Sequence, residues 1–155
     1  MVGQNPIILI PARMASTRLP NKPLAPICGV PMIVHVLKRA QEADCGRVVV
    51  AAAEQEIANA VADAGGEAIL TDPDLPSGSD RIHAALKAID GDGAHDVIVN
   101  LQGDLPSFAP NLVYECLAAL DGADMSTLVA EISNPEERDN PNVVKAVLSV
   151  TSRKK

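Results

Sequence analysis

Aromatic residues are almost missing from this 155-residue chain. It has no tryptophan, one phenylalanine (Phe108) and one tyrosine (Tyr114), and the apolar content of 47% must pack from Ala, Val, Ile and Leu. Cysteine is scarce as well. Cys28, Cys45 and Cys116 are odd in number, widely spaced and lack a Cys-x-x-Cys pair, which excludes a disulfide framework and a zinc cluster. Reduced, mostly buried thiols in a cytoplasmic protein are expected instead. Positive charge is in deficit, with 13 Lys and Arg against 20 Asp and Glu and a net charge of −7. Nonspecific binding to nucleic acid or to an anionic membrane needs clustered positive charge and is excluded; a small local basic site is not. No apolar run approaches the ~20 residues of a membrane helix, and the N-terminus has no basic region leading into a long apolar run, so no signal peptide is expected.

Two phosphate-binding signatures are also missing. Without Gly-x-x-x-x-Gly-Lys-Ser/Thr there is no Walker-type loop, and without Gly-x-Gly-x-x-Gly a dinucleotide dehydrogenase is disfavoured.

What is present is an alternation of short aliphatic runs and helical periodicities. Pro6–Ile10, Arg47–Ala51, Ala68–Leu70 and Val97–Leu101 read as strands, two of them continuous enough to suit a sheet buried on both faces. Between them, Ile33, Val36, Leu37 and Ala40 recur at helical spacing, with Pro31 suited to the first turn and Gly46 to the end. Ile57, Val61 and Ala64 mark a second helix stopped by Gly65-Gly66, and Ile82 to Ile89 a third, starting near Asp80. Leu112, Val113, Cys116, Leu117 and Leu120 mark a fourth. A hairpin is expected near Cys28-Gly29, a loop from Thr71 to Asp80, and further strands over Ser126–Ile132 and Val143–Val150. Such β-α-β alternation predicts one α/β domain around a mainly parallel sheet. His35 and His83 fall in predicted helices and His95 in a turn, without shared ligand spacing, and Glu136-Glu137-Arg138-Asp139 reads as a solvated charge run.

In open parallel sheets, ligands bind beyond the carboxyl ends of the strands. The segment Pro11–Pro23 leaves the first strand at that edge and carries Arg13, Arg18 and Lys22 within ten residues, together with Ser16 and Thr17. A nucleoside triphosphate brings about four negative charges. Two guanidinium forks and an ammonium offset much of that, and the forks bind phosphate oxygens in pairs. Pro20 and Pro23 restrict the loop and reduce the entropy lost on clamping a ligand.

The run Ile8-Leu9-Ile10-Pro11-Ala12-Arg13-Met14-Ala15-Ser16-Thr17-Arg18-Leu19-Pro20-Asn21-Lys22-Pro23-Leu24 closely resembles the opening motif of CMP-KDO synthetases (3-deoxy-manno-octulosonate cytidylyltransferases). Related sugar nucleotidyltransferases usually carry a Gly-rich version there, and sialic acid cytidylyltransferases a different one. Gly29-Val30-Pro31-Met32-Ile33-Val34-His35-Val36 is similar to the family too, as is Asn140-Pro141-Asn142-Val143-Val144-Lys145, where Lys145 can point at phosphate or at solvent.

Pro76-Ser77-Gly78-Ser79-Asp80-Arg81-Ile82 resembles the family's segment beside the nucleotide. Read from the residues, Ser79 or Asp80 can cap the helix that follows. Arg81 in its first turn opposes the helix dipole, so it either serves a ligand or a carboxylate or is a tolerated surface residue. Val99-Asn100-Leu101-Gln102-Gly103-Asp104 resembles a second family segment. Asp104 at the end of a strand suits Mg²⁺, which takes one or two carboxylates plus substrate phosphates and water; it can equally start a turn before Pro106. Two departures stand out. Many members have Gly-Asp-Glu-Pro where this chain has Gly103-Asp104-Leu105-Pro106, and Ala-Thr-Asp where Ala52-Ala53-Glu54 follows the second strand.

The resemblance implies a three-layer Rossmann-like nucleotide-diphospho-sugar transferase fold, truncated at its C-terminus. Residues 1–155 would form the nucleotide-binding part of a single cytidylyltransferase domain, without its sugar-binding and dimerisation part. It implies cytidylyl transfer from CTP to KDO with Mg²⁺, for lipopolysaccharide biosynthesis. Arg13, Arg18, Lys22 and Asp104 would be catalytic, with Asp104 the metal ligand. Pro11, Ala12, Arg13, Ser16, Thr17, Arg18, Lys22, Ser77, Gly78, Arg81 and Gln102 would hold the nucleotide. The full-length family is expected to be a homodimer. The competing readings are a different sugar nucleotidyltransferase such as a sialic acid cytidylyltransferase, an inactive CTP-binding fragment, and an α/β domain without a ligand.

Overall fold

The computed structural model describes residues 5–15 and 19–147. In chain order it contains β1 (Pro6–Ala12), a 3-10 turn (Lys22–Leu24), β2 (Pro26–Ile27), β3 (Val30–Pro31) and α1 (Met32–Glu42). There follow β4 (Arg47–Ala52), α2 (Gln55–Asp63), β5 (Glu67–Leu70), α3 (Gly78–Ile89), β6 (Val97–Asn100), α4 (Asn111–Ala118) and α5 (Pro135–Asp139). Strands β5, β4, β1 and β6, in that order, form one sheet with every pair parallel. The expected hairpin is the separate antiparallel pair β2–β3, turning through Cys28-Gly29. The ring Nε2 of His35 lies 2.9 Å from the carbonyl oxygen of Ile27 and ties this hairpin to α1.

Side chains alternate across a strand, and that alternation builds the three layers. From β1 and β4, Ile8, Ile10, Val48, Val50 and Ala52 face one way. They meet Ile33, Val36, Leu37 and Ala40 of α1, Ile57 and Val61 of α2, and Val113 of α4. Ile7, Leu9 and Val49 face the other way, onto Ile82, Leu86 and Ile89 of α3. Ile7 to Ile10 are fully buried, each worth about 1.5–3 kcal/mol of transfer free energy. This aliphatic centre does the work that aromatic residues do elsewhere, and it fixes β1 between two neighbours. Among the described residues no helix is long and apolar enough to cross a membrane.

Several local expectations change. The first helix starts after Pro31, which holds the cap position rather than the first turn, and ends at Glu42, well before Gly46. Ser77, not Ser79 or Asp80, caps α3. Its Oγ accepts the Asp80 N–H at 3.2 Å while its hydroxyl donates to the Asp80 carboxylate at 2.5 Å, so Gly78 and Ser79 fall inside the helix. Among the described residues β6 is an edge strand, not a strand buried on both faces: its residues alternate between half-buried and exposed, with Ile98 41% exposed. Residues 126–132 and the described part of 143–150 are not strands. Apolar composition makes a strand only where a neighbouring ladder takes up its backbone groups; here Val129, Val144 and Val147 are 63%, 94% and 94% exposed. Residues 148–150 of that run lie outside the described residues. The charge run at 136–139 is solvated as expected, but it is wound into α5 behind an Asn134 cap. Of the thiols, Cys28 is exposed, and Cys45 and Cys116 are half-buried.

Gly46 carries the entry into β4. Its φ is +150°, and a Cβ there would lie 2.1 Å from the Pro6 carbonyl oxygen. That oxygen belongs to the backbone of β1 and cannot swing aside. Gly46→Ala is expected to destabilise the fold by about 2 kcal/mol or more, from overpacking and backbone strain together. Urea unfolding with an unchanged midpoint would contradict this account of the β1–β4 entry.

Candidate functional site

Because every pair in the sheet is parallel, the carboxyl ends of β1, β4, β5 and β6 open on one edge. Three segments meet there around a cleft of about 840 Å³. The first follows β1 and contributes Pro11, Ala12, Arg13, Ala15, Leu19, Lys22 and Pro23; the second is the start of α3, with Ser77, Gly78 and Arg81; the third follows β6, with Gln102, Gly103 and Asp104. Of the residues singled out from the sequence, Pro11, Ala12, Arg13, Lys22, Ser77, Gly78, Arg81, Gln102 and Asp104 therefore line one cavity. Ser16, Thr17 and Arg18 lie outside the described residues.

The cleft floor depends on close backbone approach. A Cβ on Gly103 would sit 2.7 Å from the Pro11 carbonyl oxygen, so only glycine lets the chain leaving β6 lie against the end of β1. Beyond Pro11 the first loop is drawn to a neck at Met14. Its carbonyl accepts the Asn21 N–H at 3.2 Å, and its own N–H donates to the Glu54 carboxylate at 2.9 Å. Asn21 adopts a left-handed conformation at φ +56°, a geometry Asn tolerates better than most residues. The chain then winds into the 3-10 turn that presents Lys22.

Lys22 Nζ reaches across the cleft to Asp104 Oδ2 at 2.6 Å, with side-chain exposures of 34% and 50%. The loops after β1 and β6 are thus joined by one ion pair, wet enough to exchange partners. Asp104 is the only carboxylate among the described cleft residues, and no group of three His, Cys, Asp or Glu side chains suited to a metal occurs among the described residues. The donor set suits a cation that takes one carboxylate and completes its shell from phosphate and water, and does not suit a metal held by protein alone. Gln102 donates its side-chain amide to the Asn100 side chain at 2.8 Å.

Arg81 lines the cleft and departs from the reading as a tolerated surface residue. It is 2% exposed, so it is not a surface residue, and its hydrogen bonds to residues 71–73 go to neutral oxygens rather than to a carboxylate. The guanidinium donates to Thr71 Oγ1 at 2.5 Å, to the Asp72 carbonyl at 2.9 Å and to the Pro73 carbonyl at 3.3 Å. Thr71 in turn bonds the Ala52 carbonyl at the end of β4 through both its N–H and its hydroxyl. Arg81 thereby clasps the loop leaving β5 against the α3 start that lines the cleft. Burial pushes its pKa down; the Glu54 charge acts back upward, Arg13 opposes it, and Asp72 adds a smaller upward pull. Lys145 donates to the Asn140 carbonyl within its own turn.

Sequence reasoning missed Glu54 and Thr71. Neither lies in a motif, and each acts through a contact made 40 or 10 residues away. The visible signal was the departure at Ala52-Ala53-Glu54, just before α2. Glu54 does hold the cap position of that helix, but its side chain makes no cap bond.

Comparison with known proteins agrees with the geometry. The 3-deoxy-manno-octulosonate cytidylyltransferase of Parvibaculum lavamentivorans is 65% identical over 147 residues, covering 94% of this chain and 57% of that protein. The enzyme of the same name from Rhodospirillum rubrum is 60% identical over 148 residues, covering 94% and 59%. The chain thus spans somewhat over half the length of these curated relatives. Among solved structures, a CMP:2-keto-3-deoxy-manno-octonic acid synthetase complexed with CTP superposes with a TM-score of 0.71 at 38% identity, covering 77% of this chain and 48% of that one. A cytidylyltransferase from Leptospira borgpetersenii superposes at 0.61 with 26% identity, covering 79% and 51%. Residues 7–154 match the family described as cytidylyltransferase, and with the parallel sheet and the basic loop at its carboxyl edge this identifies the chain as a member of the cytidylyltransferase family.

Proposed function

We propose that this chain binds CTP with Mg²⁺ in the cleft after β1 and forms the nucleotide-binding part of a 3-deoxy-manno-octulosonate cytidylyltransferase. The overall reaction would be attack of the KDO anomeric hydroxyl on the α-phosphorus of CTP, giving CMP-KDO and pyrophosphate. The observation that carries this reading is the convergence of Arg13, Lys22, Ser77, Gln102 and Asp104 from three separate segments onto one cavity at the carboxyl edge of a parallel sheet. The names of the relatives and the CTP held by a structural neighbour supply the base and the acceptor.

In this proposal Arg13, Arg18 and Lys22 offset the triphosphate charge and then that of the departing pyrophosphate. Pro11, Ala12, Ser16 and Thr17 shape the first loop around the phosphates, and Ser77 and Gly78 line the cleft from the start of α3. Arg81 acts from beneath, through the loop it clasps. Gln102 contacts the base or the sugar. Asp104 would hold the cation and Lys22 the phosphates, so that each charged side chain of the resting pair would have a partner of opposite sign. Mg²⁺ supplies a concentrated positive charge on the phosphate oxygens. Cysteines free of disulfides among the described residues suit a reducing compartment, the cytoplasm. A second reading, CTP binding without turnover, draws on a cleft whose described residues include a single carboxylate.

Titration calorimetry with CTP and Mg²⁺ is expected to give saturable binding, and no heat would overturn the proposal. A sugar panel with product analysis then separates the readings: CMP-KDO supports transfer to KDO, a CMP-sialic acid product supports the related enzyme, and binding without product supports the second reading. Arg13→Ala combined with Lys22→Ala is expected to weaken CTP binding by about two orders of magnitude, from two lost charge-assisted contacts. Because Asp104 is half exposed, Asp104→Asn should fold near normally and lose the Mg²⁺-dependent gain in CTP affinity. Retention of that gain, measured by titrating CTP with and without Mg²⁺, rules out Asp104 as the ligand.

A further inference from the structure

We infer that Glu54 is a positioning residue for phosphate binding, pinning the neck of the first loop by accepting the Met14 N–H. The inference rests on the CTP-binding reading and adds to it a residue outside the segments that resemble the family's motifs. Glu54 is not among the described residues lining the cleft.

The geometry gives it leverage. Met14 sits between Arg13 and Ala15, both of which face the cleft. Its carbonyl closes the loop through the Asn21 N–H, and Glu54 fixes its N–H from the end of β4, 40 residues away. Met14 is therefore held through both its N–H and its carbonyl, which fixes the two peptide units that flank it. The arm that holds it stands on rigid ground, because the adjacent Ala53 N–H donates to the Ala12 carbonyl at 2.9 Å and extends the β1–β4 ladder. Glu54 also forgoes capping its own helix to make this contact, although a carboxylate at a helix N-terminus is normally stabilised there. Its charge is the leading favourable one acting on buried Arg81, against the opposing charge of Arg13. One carboxylate thus serves both the loop that carries Arg13 and the clasp beneath α3.

Three substitutions separate reach from charge. Glu54→Gln keeps the oxygen in reach and loses the charge. Glu54→Asp keeps the charge and withdraws the oxygen by about one carbon–carbon bond, ~1.5 Å. Glu54→Ala loses both. Each variant is compared with the unsubstituted chain by thermal melting, by hydrogen exchange of the Met14 amide in the free protein, and by titration with inorganic triphosphate and Mg²⁺.

Glu54→Asp and Glu54→Ala are expected to lose Met14 protection and to bind triphosphate about tenfold more weakly, the size of one lost charge-assisted hydrogen bond. Glu54→Gln is expected to keep the protection and stay within about threefold. Simple Coulomb reasoning predicts the opposite sign, since removing an anion near a phosphate site strengthens binding. Tighter or unchanged binding in Glu54→Ala overturns the role, and so does a pattern in which Asp substitutes for Glu and Gln does not. Should Glu54→Ala fail to melt cooperatively, the Gln and Asp variants still decide between reach and charge. Failure of the unsubstituted chain to bind triphosphate overturns the CTP reading itself; binding that survives all three substitutions overturns only the part played by Glu54.

Discussion

Parallel strand pairing is the constraint from which the rest of the molecule follows. Two parallel neighbours cannot be joined by a tight turn, so each return path crosses the sheet. The carboxyl ends of β1, β4, β5 and β6 consequently share one edge. The central strand, whose Ile7–Ile10 are fully buried, holds that edge still. Every feature of the cleft is a departure from this rigid rim. The loop after β1 brings cations, the loop after β5 is gathered by Arg81, and the chain after β6 lies against Pro11 because Gly103 has no side chain to prevent it.

The charged groups divide by depth. Lys22 and Asp104 are wet and paired across the opening, where screening keeps the pair weak and exchangeable. Arg81 is buried and its hydrogen bonds go to a hydroxyl and two carbonyls. A buried charge of this kind is tolerable because it makes these three hydrogen bonds and because Glu54 and Asp72 supply negative potential nearby. The exposed pair suits recognition and the buried residue suits architecture, although on paper all three belong to the same class of charged motif residue.

The sequence carried the sheet well and the margins poorly. Continuous aliphatic runs at β1 and β4 and clear helical spacing in α1, α2 and α3 were legible because burial on both faces leaves no other composition possible. The cleft residues were legible because they cluster at strand ends. The strand expectations for 126–132 and for 143–147, the described part of 143–150, failed because apolar composition says nothing about whether a hydrogen-bonding neighbour is at hand. The cap of α3 went to Ser77 rather than Ser79 or Asp80, since all three are good candidates and only backbone geometry separates them. Glu54 was invisible because its importance lies in a tertiary contact; nothing in Ala52-Ala53-Glu54 indicates that the carboxylate turns away from its own helix toward Met14.

The ion pair between Lys22 and Asp104 has a consequence for the order of events at the cleft. An anion arriving alone must take Lys22 and strand a carboxylate; a cation arriving alone must take Asp104 and strand an ammonium. A metal–polyphosphate complex carries both signs and leaves neither group stranded. With the ligands proposed above, the resting bridge would couple the two occupancies thermodynamically: each would make the other more favourable by the same factor, and the empty cleft would discriminate against half of the pair.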